Sequence, residues 1–415
     1  MASIARKNLL EDIPRFLVAQ AGIMFAVSLV TIQIGILKGF TRSTVQLIEN
    51  SPADIWVASQ EMLHLELTKP LLLEYALLAK QVEGVDRAEP LMRGIAQWNV
   101  PGAELTPVKV FGFDPEGQLF LPGKVNPSSL RAIKEPYTAI VDASNLDSLH
   151  VRGVGDRAEI GSLPVRLVGL TKETQSIVSS SFVFTSLKSA NAYLNAGVTS
   201  KLNCKLLPEG DIKCVTIYEH EETSETSTVS PPKPLNLTDP IVYVLIRAKP
   251  GEDLQALKRR LEAALPDSRA YTRAEMANQT RDYWQQRSGI GFILGLGAAV
   301  GVIVGMVVVG QILYSSVSDH LKEFGTLKAM GASDWVIYSV IIEQAMWMAV
   351  IGYVPSMILC LALASWALAS QGIMILITPL SAAGVLGITL LMCVGSAFFA
   401  IQKVTRVDPA IVFKA

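Results

Sequence analysis

The strongest constraint on this chain is where charge is missing. From Gln344 to Gln402 there are 59 consecutive positions without Asp, Glu, Lys, Arg or His, residues 288–318 give another 31, and Phe16 to Leu37 a further 22. A helix that crosses a bilayer core needs about 20 apolar residues. In lipid its backbone must satisfy its own hydrogen bonds, which a helix does within one segment. The longest run is interrupted by Ser370-Gln371-Gly372 and by Pro379, the punctuation of a turn. Four spans are expected, at 16–40, 288–317, 334–366 and 378–402, with a short turn at 367–377.

Charge elsewhere is concentrated. Of the 73 Lys, Arg, Asp and Glu residues, 58 fall between Lys38 and Arg287; the other 15 form patches at the N-terminus, near residues 319–343 and at the C-terminus. The chain therefore reads as a polar domain, 41–287, held between membrane segments. Arg6, Lys7 and Arg15 precede the first span, Lys322 and Lys328 lie between the second and third, and Lys403, Arg406 and Lys414 follow the fourth. Short flanks rich in Lys and Arg stay in the cytoplasm, so both termini (1–15 and 403–415) and segment 318–333 are expected inside and the polar domain outside. A cleaved signal peptide is the other reading of the first span, but its apolar run exceeds the about 7–15 residues usual there.

Residues 41–287 read as mixed α/β. Short β-branched runs closed by Gly, Pro or Asp occur at Asp54–Ser59, Val108–Glu116, Thr138–Asp142, Ala158–Leu170 and Ile241–Ala248. Helical periodicity appears at Leu71–Val82 and at Glu252–Leu265, where Leu254, Leu257, Leu261 and Leu265 share a face. The acidic, Ser/Thr- and Pro-rich stretch His220–Pro240 reads as an exposed loop, and the halves on either side as two subdomains. Cys204 and Cys214 bracket a Pro-Glu-Gly-Asp turn and are placed to pair across a hairpin in an oxidising compartment, or to remain unpaired on one loop. Cys360 and Cys393 lie in spans and read as packing residues.

Signatures of catalysis are missing from the sequence. Histidines 64, 150, 220 and 320 lack metal-ligand spacing, Gly123-Lys124 lacks the preceding glycine and following hydroxyl of a phosphate loop, and Ser179–Ser181 has no nucleophile-elbow setting. No cofactor or metal is expected in this chain. Two other features carry the functional reading. In the second span Gly291, Gly295, Gly297, Gly301 and Gly305 stand at small-xxx-small spacing, which lets helix backbones approach closely, either across a dimer interface or within the chain. After that span, Leu321, Phe324, Leu327 and Met330 recur every third residue beside Lys322, Glu323 and Lys328, and Gly331 can end a short interfacial helix. Glu343, the last charge before the long uncharged run, is expected at the inner bilayer edge, facing protein rather than lipid, with Lys322 or Lys328 as partner.

The stretch Val317–Ala345, "VSDHLKEFGTLKAMGASDWVIYSVIIEQA", resembles the segment after the second span of MacB/FtsX-type ABC permeases. "VKVFGFDPE", "VGDRAEIGSLPVRLVG" and the closing "VTRVDPAIVFKA" are similar to that family's extracytoplasmic domain and usual end, and Asp319-His320-Leu321 with "TLKAMG" looks closest to its DevC-like branch. The resemblance implies a four-span permease with a large periplasmic domain between helices 1 and 2, in the bacterial inner membrane. It implies a homodimer on a separate ATPase that holds ATP and Mg, with residues 318–332 as a coupling helix. There Phe324 and Leu327 would be apolar anchors, Glu323 and Lys328 polar contacts, and Leu321, Gly325 and Gly331 the remaining positions of the docking motif. It further implies a periplasmic membrane-fusion adaptor, a TolC-like outer-membrane channel and export of a glycolipid or similar hydrophobic material. A lipoprotein-releasing permease and an FtsX-like regulator of a cell-wall enzyme are the alternatives. The chain departs from MacB in lacking the Arg pair before the Glu-Gly step and a fused nucleotide-binding domain.

Overall fold

The computed structural model describes residues 13–405 except 175–179, 196–198, 207–211, 220–229, 288, 320–322, 325, 327–329 and 372. The chain divides into a helical unit, residues 1–40 with 288–415, and an α/β unit, residues 41–287.

Four helices are long and apolar enough to cross a membrane: α1 (Ile13–Glu49), α7 (Ile290–Asp319), α8 (Asp334–Gln371) and α9 (Pro379–Thr405). The first runs nine residues beyond the expected end at residue 40, because "TRSTVQLIE" keeps helical geometry while Val45, Leu47 and Ile48 bury themselves in the α/β unit's core. In the helical unit, Ala19, Ile23, Ala26, Val27 and Val30 of α1 pack with Val309, Leu313, Ile341, Ala345, Met392 and Cys393. Hydroxyls inside this apolar interior bond to helix carbonyls: Thr31 Oγ1 to Val27 O at 2.7 Å, Ser356 Oγ to Gly352 O at 2.6 Å, Ser396 Oγ to Met306 O at 2.8 Å. Glycines allow the turn at 373–378 to lie directly on α1. Leu376 N donates to Gly35 O at 2.9 Å, and the Met374 carbonyl occupies the space a Gly39 side chain would need.

The α/β unit is built on one nine-stranded sheet. Its strands are β1 (Ile55–Ser59), β3 (Val85–Asn99), β4 (Thr106–Phe113), β5 (Thr138–Asp142), β6 (Arg157–Ile160), β7 (Leu163–Thr171), β8 (Ser181–Ser186), β12 (Tyr243–Ala248) and β13 (Ser268–Thr272), in the order β13-β1-β12-β3-β4-β8-β5-β7-β6. The two halves expected as subdomains share this sheet because β3 is long enough to serve both. Val85–Leu91 pair with β12 and Met92–Trp98 with β4. Two small pairs stand apart, β2 (Leu71–Leu72) with β11 (Pro240–Ile241) and β9 (Thr199–Leu206) with β10 (Ile212–Glu219). The stretch Leu71–Val82 therefore begins as a strand before becoming helix α2 (Glu74–Gln81), since Leu71 takes Ile241 as its partner.

Short helices cover the sheet. They are α3 (Pro127–Ala132), capped by the Asn126 side chain, α4 (Leu187–Asn195), α5 (Leu254–Ala264), capped by Asp253, and α6 (Arg273–Arg287). The leucine stripe of α5 behaves as its spacing predicts, with Leu257, Leu261 and Leu265 fully buried beside Val57, Ile246 and Ala270. A second apolar cluster joins Val45 and Ile48 of α1 to Trp56, Leu91, Phe111, Phe184 and Met276. Between α6 and α7, Gly289 takes a φ of +63°, which interrupts the helix in a conformation that favours glycine.

Candidate functional site

The residues proposed for coupling fall on a short segment between α7 and α8. Leu321, Gly325, Leu327 and Lys328 lie outside the described residues. Glu323 is exposed. Gly331 has a φ of +89° with open space around it, which suits it to end a helical turn that Met330 N closes on Thr326 O at 3.0 Å. Phe324 is 3% exposed and belongs to the apolar cluster with Val317, Ile337 and Ile341, so its ring packs inside this chain and is not presented as an anchor. Among the described residues the large exposed apolar side chains here are Met330, at 72%, and Trp335, at 74%. Periodicity alone marked an apolar edge; the packing of α7 against α8 decides that Phe324 points inward.

The glycines of α7 divide in two. A side chain at Gly301 would meet Leu29 at 3.0 Å and Val30 at 3.5 Å, one at Gly305 would meet Ala26 at 2.7 Å, and one at Gly297 would strike Gln33, all on this chain's α1. These three glycines face close neighbours within the chain, one of the two alternatives their spacing left open. Gly291 has only Leu37 nearby, at 4.0 Å, and Gly295 has nothing within 4 Å. Glu343 is half-buried on α8, and its expected partners Lys322 and Lys328 lie outside the described residues.

Cys204 and Cys214 stand directly opposite each other in the β9–β10 register, the arrangement two strands need to bring cysteine Cα atoms within bridging distance. Among the described residues no group of His, Cys, Asp and Glu is arranged to hold a metal ion.

Sequence reasoning missed a polar cluster in the α/β unit. Residues 60–69 form a tight loop closed by Leu63 N to Leu67 O and Leu67 N to His64 O, both 2.9 Å. The His64 ring stacks on Tyr283 of α6 at 4.3 Å and meets Trp284 edge-on at 5.2 Å. Leu65 N donates to Thr280 Oγ1 on α6 at 3.1 Å, and Leu65 O accepts from the Tyr243 hydroxyl on β12 at 2.7 Å. Glu66 forms an ion pair with Lys109 of β4. Burial pushes the His64 pKa down to about 4, Glu66 opposing and Lys109 and Arg93 adding to the fall. The ring is therefore neutral near pH 7, as a stacked, desolvated imidazole should be. Nearby, Arg281 of α6 pairs with Glu49 at the end of α1 at 2.9 Å, and Arg273 donates to Ser51 O at 3.0 Å. His64 and Tyr283 are too distant in sequence for any spacing rule to join them.

Two family profiles match the chain. Residues 16–264 match the MacB-like periplasmic core domain, and residues 295–409 match the FtsX-like permease C-terminal region. Among solved structures, the periplasmic region of MacB from Actinobacillus actinomycetemcomitans aligns with a TM-score of 0.34 and 8% identity, covering 56% of this chain and 96% of that one. The extracellular domain of the noncanonic ABC-type transporter YknZ from Gram-positive bacteria aligns with a TM-score of 0.33 and 10% identity, covering 53% of this chain and 98% of that one. A domain of a permease-annotated protein from Porphyromonas gingivalis gives 0.31 and 8%, covering 53% and 88%. A search of curated proteins returned no match. The two matches together take in α1, most of the α/β unit and the helices that follow it, and the chain belongs to the MacB/FtsX-type ABC permeases.

Proposed function

We propose that this permease is the membrane subunit of a DevC-like ABC exporter that moves its α/β unit instead of passing solute through its helices. A separate cytoplasmic ATPase binds ATP and Mg, two permease copies act together, and the α/β unit works on the far side of the inner membrane with both termini in the cytoplasm. The cargo is a hydrophobic molecule such as a glycolipid, handed to a periplasmic adaptor and a TolC-like channel. The observation that carries this reading is the packed interior of the helical unit. There Ala26, Val27 and Val30 of α1, Val309 and Leu313 of α7, Ile341 and Ala345 of α8 and Met392 and Cys393 of α9 join in one buried apolar cluster. ATPase docking is assigned to the segment around Gly331, with exposed Glu323, Met330 and Trp335 as its contact residues.

The test is co-purification of the full chain with an ABC ATPase from the same genome, together with envelope lipid analysis of a strain lacking the permease. Met330→Asp and Trp335→Asp should each weaken ATPase retention, because an apolar docking groove does not accept a bare carboxylate, and the strain should lose its exported glycolipid. Retention unaffected by both substitutions overturns the docking assignment. An unchanged lipid profile with mislocalised lipoproteins replaces the exporter with a lipoprotein-releasing permease.

A further inference from the structure

Helix α6 is the last element of the α/β unit before the second span, yet it contributes little of its own to the core: Met276, Ala277 and Thr280 are its buried residues. None of these lies in its final five residues, Tyr283–Arg287. What grips that end is the loop 60–69, through His64 stacked on Tyr283 and against Trp284 and through Leu65 N bonded to Thr280. The loop is itself fastened to the sheet at two separate strands, by the Tyr243 hydroxyl on Leu65 O from β12 and by the Glu66–Lys109 ion pair from β4. Leu65 also buries its side chain in the cluster that contains Trp56 and Phe111, leaving it 2% exposed.

The alternation matters mechanically. At Leu65 one peptide unit hands its N–H to the helix and the next carbonyl to the sheet, so a displacement of α6 is passed on with one residue between donor and acceptor. Buried hydrogen bonds and stacked rings resist sliding, since breaking one leaves a desolvated polar group unpaired. A flexible exposed loop would absorb the same displacement.

We propose that loop 60–69 is the strut that carries movement of α6 into the central sheet, with His64 as its positioning residue. The inference rests on the reading that ATP-driven movement of the helices reaches the α/β unit. His64 holds Tyr283 and Trp284 against the loop. A neutral imidazole suits this place because it offers a flat aromatic face while its Nδ1 accepts from Glu66 N at 3.2 Å, turning the loop's own backbone around the ring.

The experiment uses the full chain reconstituted in lipid nanodiscs with its ATPase, and reads hydrogen exchange with and without ATP and vanadate. In the unsubstituted chain, ATP should alter exchange both in α6 and in β4 and β12. In the double variant His64→Ala/Thr280→Val the response in α6 should persist while that of β4 and β12 is lost. His64→Phe, which keeps the stacked ring, should retain at least half of the sheet response. Leu261→Ala loosens the other apolar cluster and controls for general destabilisation; it should leave the sheet response in place. A sheet response of unsubstituted size in the double variant overturns the strut. Loss of the sheet response in Leu261→Ala as well overturns it too, because the effect is then one of stability. Absence of any ATP-dependent change in the unsubstituted chain overturns the exporter reading and the strut with it.

Discussion

Phe324 separates a docking surface from a packed interior, and truncating it measures the difference. The ring is 3% exposed and lies in the cluster that contains Val317, Ile337, Val340 and Ile341. Cutting a buried Phe to Ala removes its transfer free energy and leaves a cavity, together about 3–5 kcal/mol. Phe324→Leu keeps most of the volume and should stay below about 1.5 kcal/mol. The same truncation at an exposed residue would fall within about 0.5 kcal/mol of zero. The assay is thermal unfolding of the purified chain in detergent with no ATPase present, followed by ATPase binding at a temperature where every variant is folded. Phe324→Ala should lower the unfolding temperature clearly, Phe324→Leu slightly, and both should bind ATPase when folded. An unaltered unfolding temperature for Phe324→Ala, combined with lost ATPase binding, would refute the inward packing and restore the ring to the docking surface.

Three other outcomes are expected. His64 has a folded pKa depressed from 6.5 to about 4, so the unfolded chain binds more protons between those values; stability from this residue is complete above pH 6.5 and is lost as pH falls to about 4, by up to about 3 kcal/mol. Local exchange at residues 60–69 should show that loss, and His64→Phe should remove the pH dependence. Gly305→Leu should destabilise a single chain, since even a Cβ there lies 2.7 Å from Ala26, whereas Gly295→Leu should leave it intact; equal thermal stability of the two would refute the division of the glycines. In protein prepared without reductant, Cys204 and Cys214 should resist thiol alkylation until reduced, as their facing register implies; ready labelling of both would show them unpaired.

What was legible in the sequence followed from strong one-dimensional signals. Uncharged runs announced the four long helices, because lipid tolerates little else. "TAIVD" is a strand over the five residues expected, and the leucines of α5 bury the face their spacing marks. Strand β3 was not legible: "VDRAEPLMRGIAQWN" contains Pro90, Gly94 and four charges, and it becomes a strand because β12 and β4 supply partners on both sides. Helix α6 was hidden for the opposite reason, having too few apolar residues to show a stripe. At the candidate site, glycine spacing carried no information on which glycines are closely packed or on whether the opposing helix belongs to this chain: Gly297, Gly301 and Gly305 meet α1, and Gly295 meets nothing within 4 Å. The His64 cluster depends wholly on contacts that the tertiary fold creates.

The position of β1 has a consequence for biogenesis. It lies between β12 and β13, pairing Ile55 with Ile246 on one side and with Thr272 on the other. A strand synthesised early thus waits for the two strands synthesised last, and such long-range pairing is slow to form. The sheet's edge at β1 stays open until residue 272 has emerged, only 18 residues before α7 begins at Ile290. Until then the hydrophobic strand "IWVAS", central in the finished sheet, is an unprotected aggregation edge in the growing chain.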